Sequence, residues 1–230
     1  MSDIFAIIRK EVAEIFGDWQ SFYGVFIQTA VVVVICGILA PTGDPTVWLS
    51  PGRLAMLYAM FPSALAATFA ADAFAGERER HTLPTLLATP VTDAAIFVGK
   101  VATAVSTSLV CSVLALAAGV TSTFVVGQDP LPVVGLRGFA ALLGGALTFA
   151  MVTTAFTITV SSRVKVARAA QQISTLGTVG LGFLGATVVK QLGLPPTWGS
   201  VVMVEVMLFA AGLVLLSGGV RAFGRGRDVS

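Results

Sequence analysis

The sequence reads Glu77-Arg78-Glu79-Arg80-His81-Thr82-Leu83-Pro84-Thr85-Leu86-Leu87-Ala88-Thr89-Pro90-Val91-Thr92-Asp93 between two long apolar regions, and we call this stretch the charged segment (residues 77–93). Thr82 is a suitable helix N-cap, and Pro84 fits the first helical turn, where a backbone N–H has no partner in any case. Pro90 ends the helix, because the residue before a proline is disfavoured in the α conformation. The pattern predicts a rigid helix of roughly ten residues, placed to contact something in the water.

The composition indicates an integral membrane protein. Of the 230 residues, 56% are hydrophobic and only 11% are charged, whereas a soluble domain carries about 25% charged residues. We therefore expect an all-α membrane protein. It is divided into an amphipathic interface helix at residues 1–20, one transmembrane domain at residues 21–221 and a cytoplasmic tail at residues 222–230.

Six apolar stretches have close to the roughly 20 residues that a helix needs to cross a bilayer. We place these spans at about Phe22–Ala40, Leu54–Ala75, Ala94–Val126, Leu136–Val160, Ala169–Val189 and Gly199–Val220. Residues 1–20 carry too many charges to cross the membrane, but their apolar residues recur on one helical face. This pattern predicts a helix lying in the membrane interface, with an ordinary amphipathic cytosolic helix as the alternative.

The distribution of Lys and Arg predicts the orientation. Eleven of these residues fall in the N-terminal segment, the second and fourth connectors and the tail, against three (Arg53, Arg137 and Lys190) on the other side. By the positive-inside rule, both termini and the charged segment are cytoplasmic, in a multi-pass protein of the inner (plasma) membrane. Trp48 and Trp198 would then lie at the outer interface.

No catalytic motif is present in the sequence. His81 is the only histidine, so a His-based metal site cannot form within one chain, and no GxxxxGK[ST] phosphate-binding loop occurs. Cys36 and Cys111 lie inside apolar spans, where a free cysteine behaves as a small hydrophobic residue. We expect no enzymatic activity, no metal and no nucleic-acid partner for this chain.

The charged segment resembles the motif that follows the second membrane helix in ABC-2 type permeases. That family has an E-R-E-x-G-T-L-x-x-L-L-x-T-P-V-like run there, followed by a helix that begins near a G-K pair, and Gly99-Lys100 match the pair. His81 departs from the family pattern, in which glycine usually occupies the position and makes the turn more flexible. The polar and basic connector at residues 161–172 is also similar to one in this family, as is the layout of six spans with both ends inside.

This resemblance implies the permease subunit of an ABC exporter. Two permease subunits would pair in the lipid membrane, with a homodimer favoured over a heterodimer, and separate nucleotide-binding ATPase subunits would bind ATP and Mg²⁺. The charged segment would be the coupling helix that contacts the ATPase. The residues expected in that contact are Glu77, Arg78, Glu79, Arg80, Thr82, Leu83, Leu86, Leu87 and Pro90. The alternative is a solvated loop whose charges only obey the positive-inside rule.

The fifth predicted span carries small residues every four positions, namely Ala170, Ser174, Thr178, Gly182 and Ala186. Such a stripe allows close helix–helix approach in lipid, either with a second subunit or with another span of the same chain. The resemblance favours the subunit interface, where spans one and five meet in the family. Gln28 and Thr29 would then face the substrate pathway together with Thr175 and Thr178.

Two acidic residues lie in apolar surroundings, Asp72 and Glu205. Acids within a membrane are costly and are therefore candidates for function. We assign Asp72 to the cluster of charges at residues 77–80. For Glu205 we favour a structural role in which it pairs with Lys190 or Arg137, and the alternative is binding of a cationic substrate.

The competing function is an ATP-independent secondary transporter or channel. It would predict interrupted helices, several charges at the membrane midplane and inverted repeats. The midplane of this sequence is nearly free of charge, and Pro62 in the second span is the nearest approach to an interruption.

Overall fold

Helices make up all the regular structure that the computed structural model describes, which comprises residues 8–10, 13, 17, 19–72, 76, 92–161, 166–193, 195 and 197–225. This agrees with the all-α prediction. The predicted coupling helix lies outside the described residues. So does most of the predicted interface helix, of which only residues 8–10, 13, 17, 19 and 20 are described, each as helical.

The described helices follow one another as α1 (Trp19–Val32), α2 (Ala40–Gly43), α3 (Pro51–Ala55), α4 (Ser63–Ala71), α5 (Asp93–Val125), α6 (Leu131–Ser161), α7 (Ala167–Gln191) and α8 (Trp198–Arg225). A π-helical stretch, Val33–Leu39, joins α1 to α2, and a second, Met56–Met60, follows α3. A 3₁₀ helix at Pro45–Leu49 connects the first two spans. The first connector is thus largely helical, whereas residues 126–130 and the described residues between α7 and α8 form turns or irregular structure.

Five described helices are long and apolar enough to cross a membrane. They are Phe22–Gly43 (the first span), Pro51–Ala71 (the second), Ala95–Val125 (the third), Leu131–Ser161 (the fourth) and Trp198–Ser217. The remaining predicted span, Ala169–Val189, coincides with the 25-residue helix α7. Polar residues in the first half of α7, Gln171 and Gln172 among them, lower its hydropathy, and the sixth crossing stays a prediction.

Local sequence explains where two of the long helices begin. On sequence alone either Thr92 or Asp93 could cap α5. In the structure Thr92 is the cap, because its hydroxyl accepts a hydrogen bond from the Ala95 N–H at 3.3 Å. In α6 the regular helix starts at Leu136, the predicted beginning of the fourth span. Gly135 just before it has φ of 63°, a conformation that glycine adopts readily and other residues rarely do.

The second span is interrupted near its middle. Pro62 has no backbone N–H, so the helix cannot continue regularly through it, and residues 61–62 form a turn. The Phe61 N–H instead donates to the Met56 carbonyl at 3.1 Å, a π-type bond. The hydrogen bonding is therefore irregular at the position that the sequence marked as nearest to an interruption, while Phe61 and Pro62 keep α-helical backbone angles.

The fourth span lies at the centre of the fold and contacts the second span, the third span, α7 and α8. One cluster of buried side chains joins the 3₁₀ connector to the second, third and fourth spans, and it contains Trp48, Leu54, Tyr58, Ala115 and Leu142. Trp48 is 4% exposed and stacks on Tyr58 with ring centroids 5.8 Å apart. Trp48 is therefore covered by protein and does not serve as the membrane-interface anchor that the sequence suggested.

Candidate functional site

Three helices meet at a polar junction formed by Gln28, Thr68 and Gln171. The Thr68 hydroxyl contacts Gln28 Oε1 at 3.1 Å and its own Ala64 carbonyl at 3.2 Å, and the Gln171 amide Nε2 donates to Thr68 Oγ1 at 2.8 Å. All three side chains are half-buried. In lipid such bonds between helices replace contacts that hydrocarbon cannot offer, each worth about 0.6–2 kcal/mol. The junction thus ties the first span and α7 to the same point of the second span.

Buried hydroxyl groups surround the interruption at Pro62. Ser108 donates to the Pro62 carbonyl at 3.1 Å, and Ser63 donates to the Met60 carbonyl at 2.5 Å. Thr153 of the fourth span donates to Ser63 Oγ at 3.2 Å. Two neighbouring spans thus supply hydroxyl groups at this irregularity, one bonded to the Pro62 carbonyl and the other to Ser63.

The structure places most of the small-residue stripe inside the single chain. Ala170 and Ser174 are fully buried, and Thr178 is 2% exposed. A methyl group on Gly182 would overlap Met60 Sδ. Ala186, by contrast, is exposed. This is the packing expected of the alternative in which α7 contacts another span of its own subunit, while a role in a dimer stays a prediction.

The predicted pathway residues differ in their surroundings within the single chain, and their role in a pathway stays a prediction. Gln28 reaches α7 through Thr68, and Thr29 and Thr175 are half-buried. Ser174 and Thr178 direct their hydroxyls to carbonyls of their own helix, at 2.7 and 2.9 Å. The first span is therefore linked to α7 through Thr68, a residue that the sequence did not indicate.

Glu205 is buried without a partner. The side chain is 6% exposed, and its Oε1 has no hydrogen-bond partner in the described part of the chain. Within the same residues, neither Lys190 nor Arg137 forms an ion pair with it, although Arg137 and Glu205 line a common cavity of about 450 Å³. The pairing that we favoured for Glu205 is not present in this structure.

A second space beside the carboxyl group, which we call the Glu205 cavity, has a volume of about 180 Å³. Its lining comes from the start of the second span, the fourth span, α7 and α8. The lining residues are Ser50, Gly52, Ala55, Met56, Phe149, Gly182, Gly185, Ala186, Ser200, Val201, Val204 and Glu205. Two positions of the predicted stripe, Gly182 and Ala186, thus border a cavity that also contains a buried acid.

Several polar residues of the bundle escaped the sequence reasoning. Thr68, Ser63, Ser108 and Thr153 are common residue types in membrane helices, and no local pattern separates a bridging hydroxyl from one bonded to its own helix. Lys100 had a signal in the Gly99-Lys100 pair, but its 3% exposure was not foreseen. Burial of these groups depends on which helices become neighbours, and sequence periodicity alone cannot say that.

No catalytic or metal centre accompanies these features in the described residues. Among them, no group of three His, Cys, Asp or Glu side chains could hold a metal ion. Cys36 and Cys111 are buried and free. The polar groups that are described serve helix packing or line cavities.

Comparison with known proteins relates the chain to a transporter family. A family model described as "ABC-2 family transporter protein" matches residues 5–195, a range that includes the charged segment, the first four spans and α7. No curated protein matches the chain.

Proposed function

Because the chain belongs to the ABC-2 family of transporter proteins, we propose that it is the permease subunit of an ABC exporter, driven by separate ATPase subunits. The family identifies a multi-pass membrane component of an ABC transporter that is not itself catalytic. The family match over residues 5–195 is the observation that carries the proposal. Export as the direction of transport, pairing of two permeases and coupling to an ATPase are the parts that we propose.

The charged segment is the proposed contact with the ATPase. It falls within the matched range and leads directly into α5, which runs from Asp93 to Val125 over 33 residues. A helix of that length spans about 50 Å. Because the Thr92 cap fixes the beginning of α5, a displacement of the segment would act on a rigid rod that reaches across the bundle.

Coupling would work by a shift between two packings of the spans. ATP binding to the partner can move this equilibrium only if the partner binds one packing more tightly than the other. The turn at residues 61–62 is a point where the second span can bend, since helix kinks concentrate at prolines and π-type irregularities. We infer that the two halves of the second span move relative to each other during transport.

The assembly that we propose contains two permeases and two ATPases, with a homodimer of this chain favoured over a heterodimer. ATP and Mg²⁺ would bind the ATPase subunits. The permease would lie in the inner (plasma) membrane, with both of its ends in the cytoplasm. The excess of Lys and Arg in the segments assigned to the cytoplasm supports this orientation.

An ATP-independent carrier is the second candidate, and the interrupted second span is the observation in its favour, since carriers bind ions at unwound helices. At this interruption, however, the Met60, Phe61 and Pro62 carbonyls all accept hydrogen bonds, from the Ser63 hydroxyl, the Ala64 N–H and the Leu65 N–H respectively. These oxygens are already engaged, and the family assignment also favours the ABC permease.

The test is purification of the tagged chain from native membranes in mild detergent, followed by identification of co-purifying proteins and an ATPase assay. We expect a nucleotide-binding subunit to co-purify, and the double variant Arg78→Glu/Arg80→Glu to weaken the complex by about tenfold or more, ~1.4 kcal/mol. Transport should fall with it, while membrane insertion is unchanged.

The matched control is Arg225→Glu/Arg227→Glu, which reverses two charges in the C-terminal region. It should retain the ATPase. If the chain purifies without any ATPase in every condition, or if the two double variants behave alike, the coupling proposal is wrong.

A further inference from the structure

We propose that the Glu205 cavity binds a small organic cation, an ammonium group attached to an apolar body. The binding event itself needs only this chain. Its use as a transported substrate rests on the proposed function, since that step requires a working permease.

The carboxyl group of Glu205 is buried, and one of its oxygens lacks a hydrogen bond within the described residues. The Glu205 side chain is only 6% exposed, and its Oε1 accepts no hydrogen bond from any described residue. A buried polar group without a hydrogen bond costs free energy, and an unpaired acid in apolar surroundings costs more. Because Glu205 also lines the cavity, a ligand that brings a positive charge beside its carboxyl group would recover part of this cost.

The fold makes room for the carboxyl group at Gly145 of the fourth span. A methyl group at Gly145 would overlap Glu205 Oε1, and it would lie 3.0 Å from Glu205 Cδ and 3.2 Å from Ala59 Cβ. Only glycine at this position leaves space for the acid where it stands. The placement of Glu205 therefore depends on a specific residue of the fourth span.

The adjoining space is mainly apolar, with a few polar groups in its lining. The Glu205 cavity has about 180 Å³ and is bordered by the apolar side chains of Met56, Phe149 and Val204, with hydroxyl groups at Ser50 and Ser200. An engineered cavity of about 150 Å³ in another protein holds benzene, so a single ring fits here. Phe149 also offers an aromatic face, which attracts cations.

Other ligand classes fit this space less well. A metal ion requires several oxygen or nitrogen ligands, and no group of three such acidic, His or Cys side chains occurs among the described residues. An anion would be repelled by the negative charge of an ionised Glu205 carboxyl group. A cation is also disfavoured in the neighbouring 450 Å³ cavity, because Arg137 lines it. Arg137 does not line the Glu205 cavity, so the ammonium group fits better there.

The family assignment does not already contain this site. The matched range ends at residue 195, before α8 begins at Trp198. Glu205, Ser200 and Val204 thus lie on a helix outside the range that the family model matches.

The experiment is calorimetric titration of the full chain, purified in nanodiscs of zwitterionic lipid, with empty nanodiscs as the blank. The probes are benzylamine, benzyl alcohol and benzoate, which share one ring and differ in charge. We expect the wild-type chain to bind benzylamine at least about tenfold more tightly than benzyl alcohol, and benzoate least.

Two variants test the role of the acid. Glu205→Gln keeps the shape of the side chain and should abolish the preference for benzylamine over benzyl alcohol. Gly145→Ala should weaken benzylamine binding by about tenfold, because the new methyl group displaces the carboxyl group. Gly180→Ala is the matched control, since a methyl group there meets nothing within 4 Å, and it should bind as the wild type does.

Equal affinity of the wild-type chain for benzylamine and benzyl alcohol would overturn the proposal, as would an unchanged preference in Glu205→Gln. Because no ATPase takes part in the titration, failure of the coupling proposal would leave this result intact. Conversely, a chain that co-purifies with an ATPase but shows no preference among the probes would refute only the ligand assignment.

Discussion

The buried pair of Trp48 and Thr123 joins the 3₁₀ connector to the third span. Trp48 Nε1 donates to Thr123 Oγ1 at 3.0 Å, and both side chains are buried. Thr123→Val keeps the shape and removes the acceptor, which leaves a buried N–H without a partner at a cost of about 1–3 kcal/mol. We expect the melting temperature of the detergent-solubilised chain to fall by roughly 2–4 °C for each kcal/mol lost.

The control for this prediction is Thr121→Val on the same helix. The Thr121 hydroxyl is exposed and donates only to carbonyls of its own helix, Ala117 and Ala118. Its replacement should leave the melting temperature close to that of the wild type. Equal losses in the two variants would mean that the Trp48 bond contributes nothing to stability.

At the level of single residues, the sequence allowed roles to be assigned where the signal is local. The Thr92 cap depends only on its position before an apolar run, and the sequence narrowed the cap to Thr92 or Asp93. The burial of Trp48 depends on packing against Tyr58, ten residues away in a different helical segment. A hydropathy pattern identifies apolar residues but does not say whether lipid or protein covers them.

The first and third spans pack closely together at Gly37. A methyl group there would lie 2.7 Å from the Ala115 carbonyl oxygen and 2.8 Å from Ala118 Cβ. Ser122 of the third span also donates to the Gly37 carbonyl at 2.8 Å. Small residues at such a crossing let two backbones come together, which is a main source of helix association in lipid.

We therefore predict that Gly37→Ala separates the two spans. The clash involves a backbone oxygen that cannot rotate away, and overpacking of this kind costs about 1–3 kcal/mol. The free energy of unfolding, measured by titration with a denaturing detergent, should fall by that amount. Gly24→Ala in the same span has nothing within 4 Å of the new methyl group, and a similar loss in this variant would contradict the explanation.

The helices themselves were largely predictable, whereas their irregularities were not. Apolar length placed the third span at Ala94–Val126, and the structure has Ala95–Val125. The interruption of the second span is different, because Pro62 is accommodated by hydroxyl groups on two other helices, Ser108 and Thr153, directly or through Ser63. A proline in the sequence signals a helix irregularity. The residues that form hydrogen bonds around it are known only once the packing of the helices is known.

The same distinction applies to the candidate site. The sequence drew attention to Glu205 because an acid in an apolar stretch is rare, and it identified Gly182 and Ala186 as small. That these residues border one cavity follows from the packing of α7 and α8 around the fourth span. The predicted partner of Glu205 was wrong for this structure, since charge counting along the chain gives no distances between helices.

For the molecule as a whole, the open question is whether α7 crosses the membrane. The helix lies antiparallel to the second span over its full length. Gln171 bonds to Thr68 near one end, Gly182 contacts Met60 in the middle, and Ala186 borders the same cavity as Gly52 at the other end. Since the second span is itself a membrane crossing, and since 25 residues of helix extend about 37 Å, we predict that α7 crosses as well.

Labelling of single cysteines decides between five and six crossings. In a background with Cys36 and Cys111 replaced by alanine, a membrane-impermeant maleimide should reach Gln128→Cys and Leu192→Cys from outside intact cells. It should reach Ser230→Cys only after permeabilisation. If α7 lay along the membrane surface, residue 192 would remain on the cytoplasmic side with the end of the fourth span, and the following crossing by α8 would carry residue 230 outside. The two arrangements therefore give opposite labelling at both positions, while Gln128→Cys, which precedes α7, reports the same side in each and serves as the internal reference.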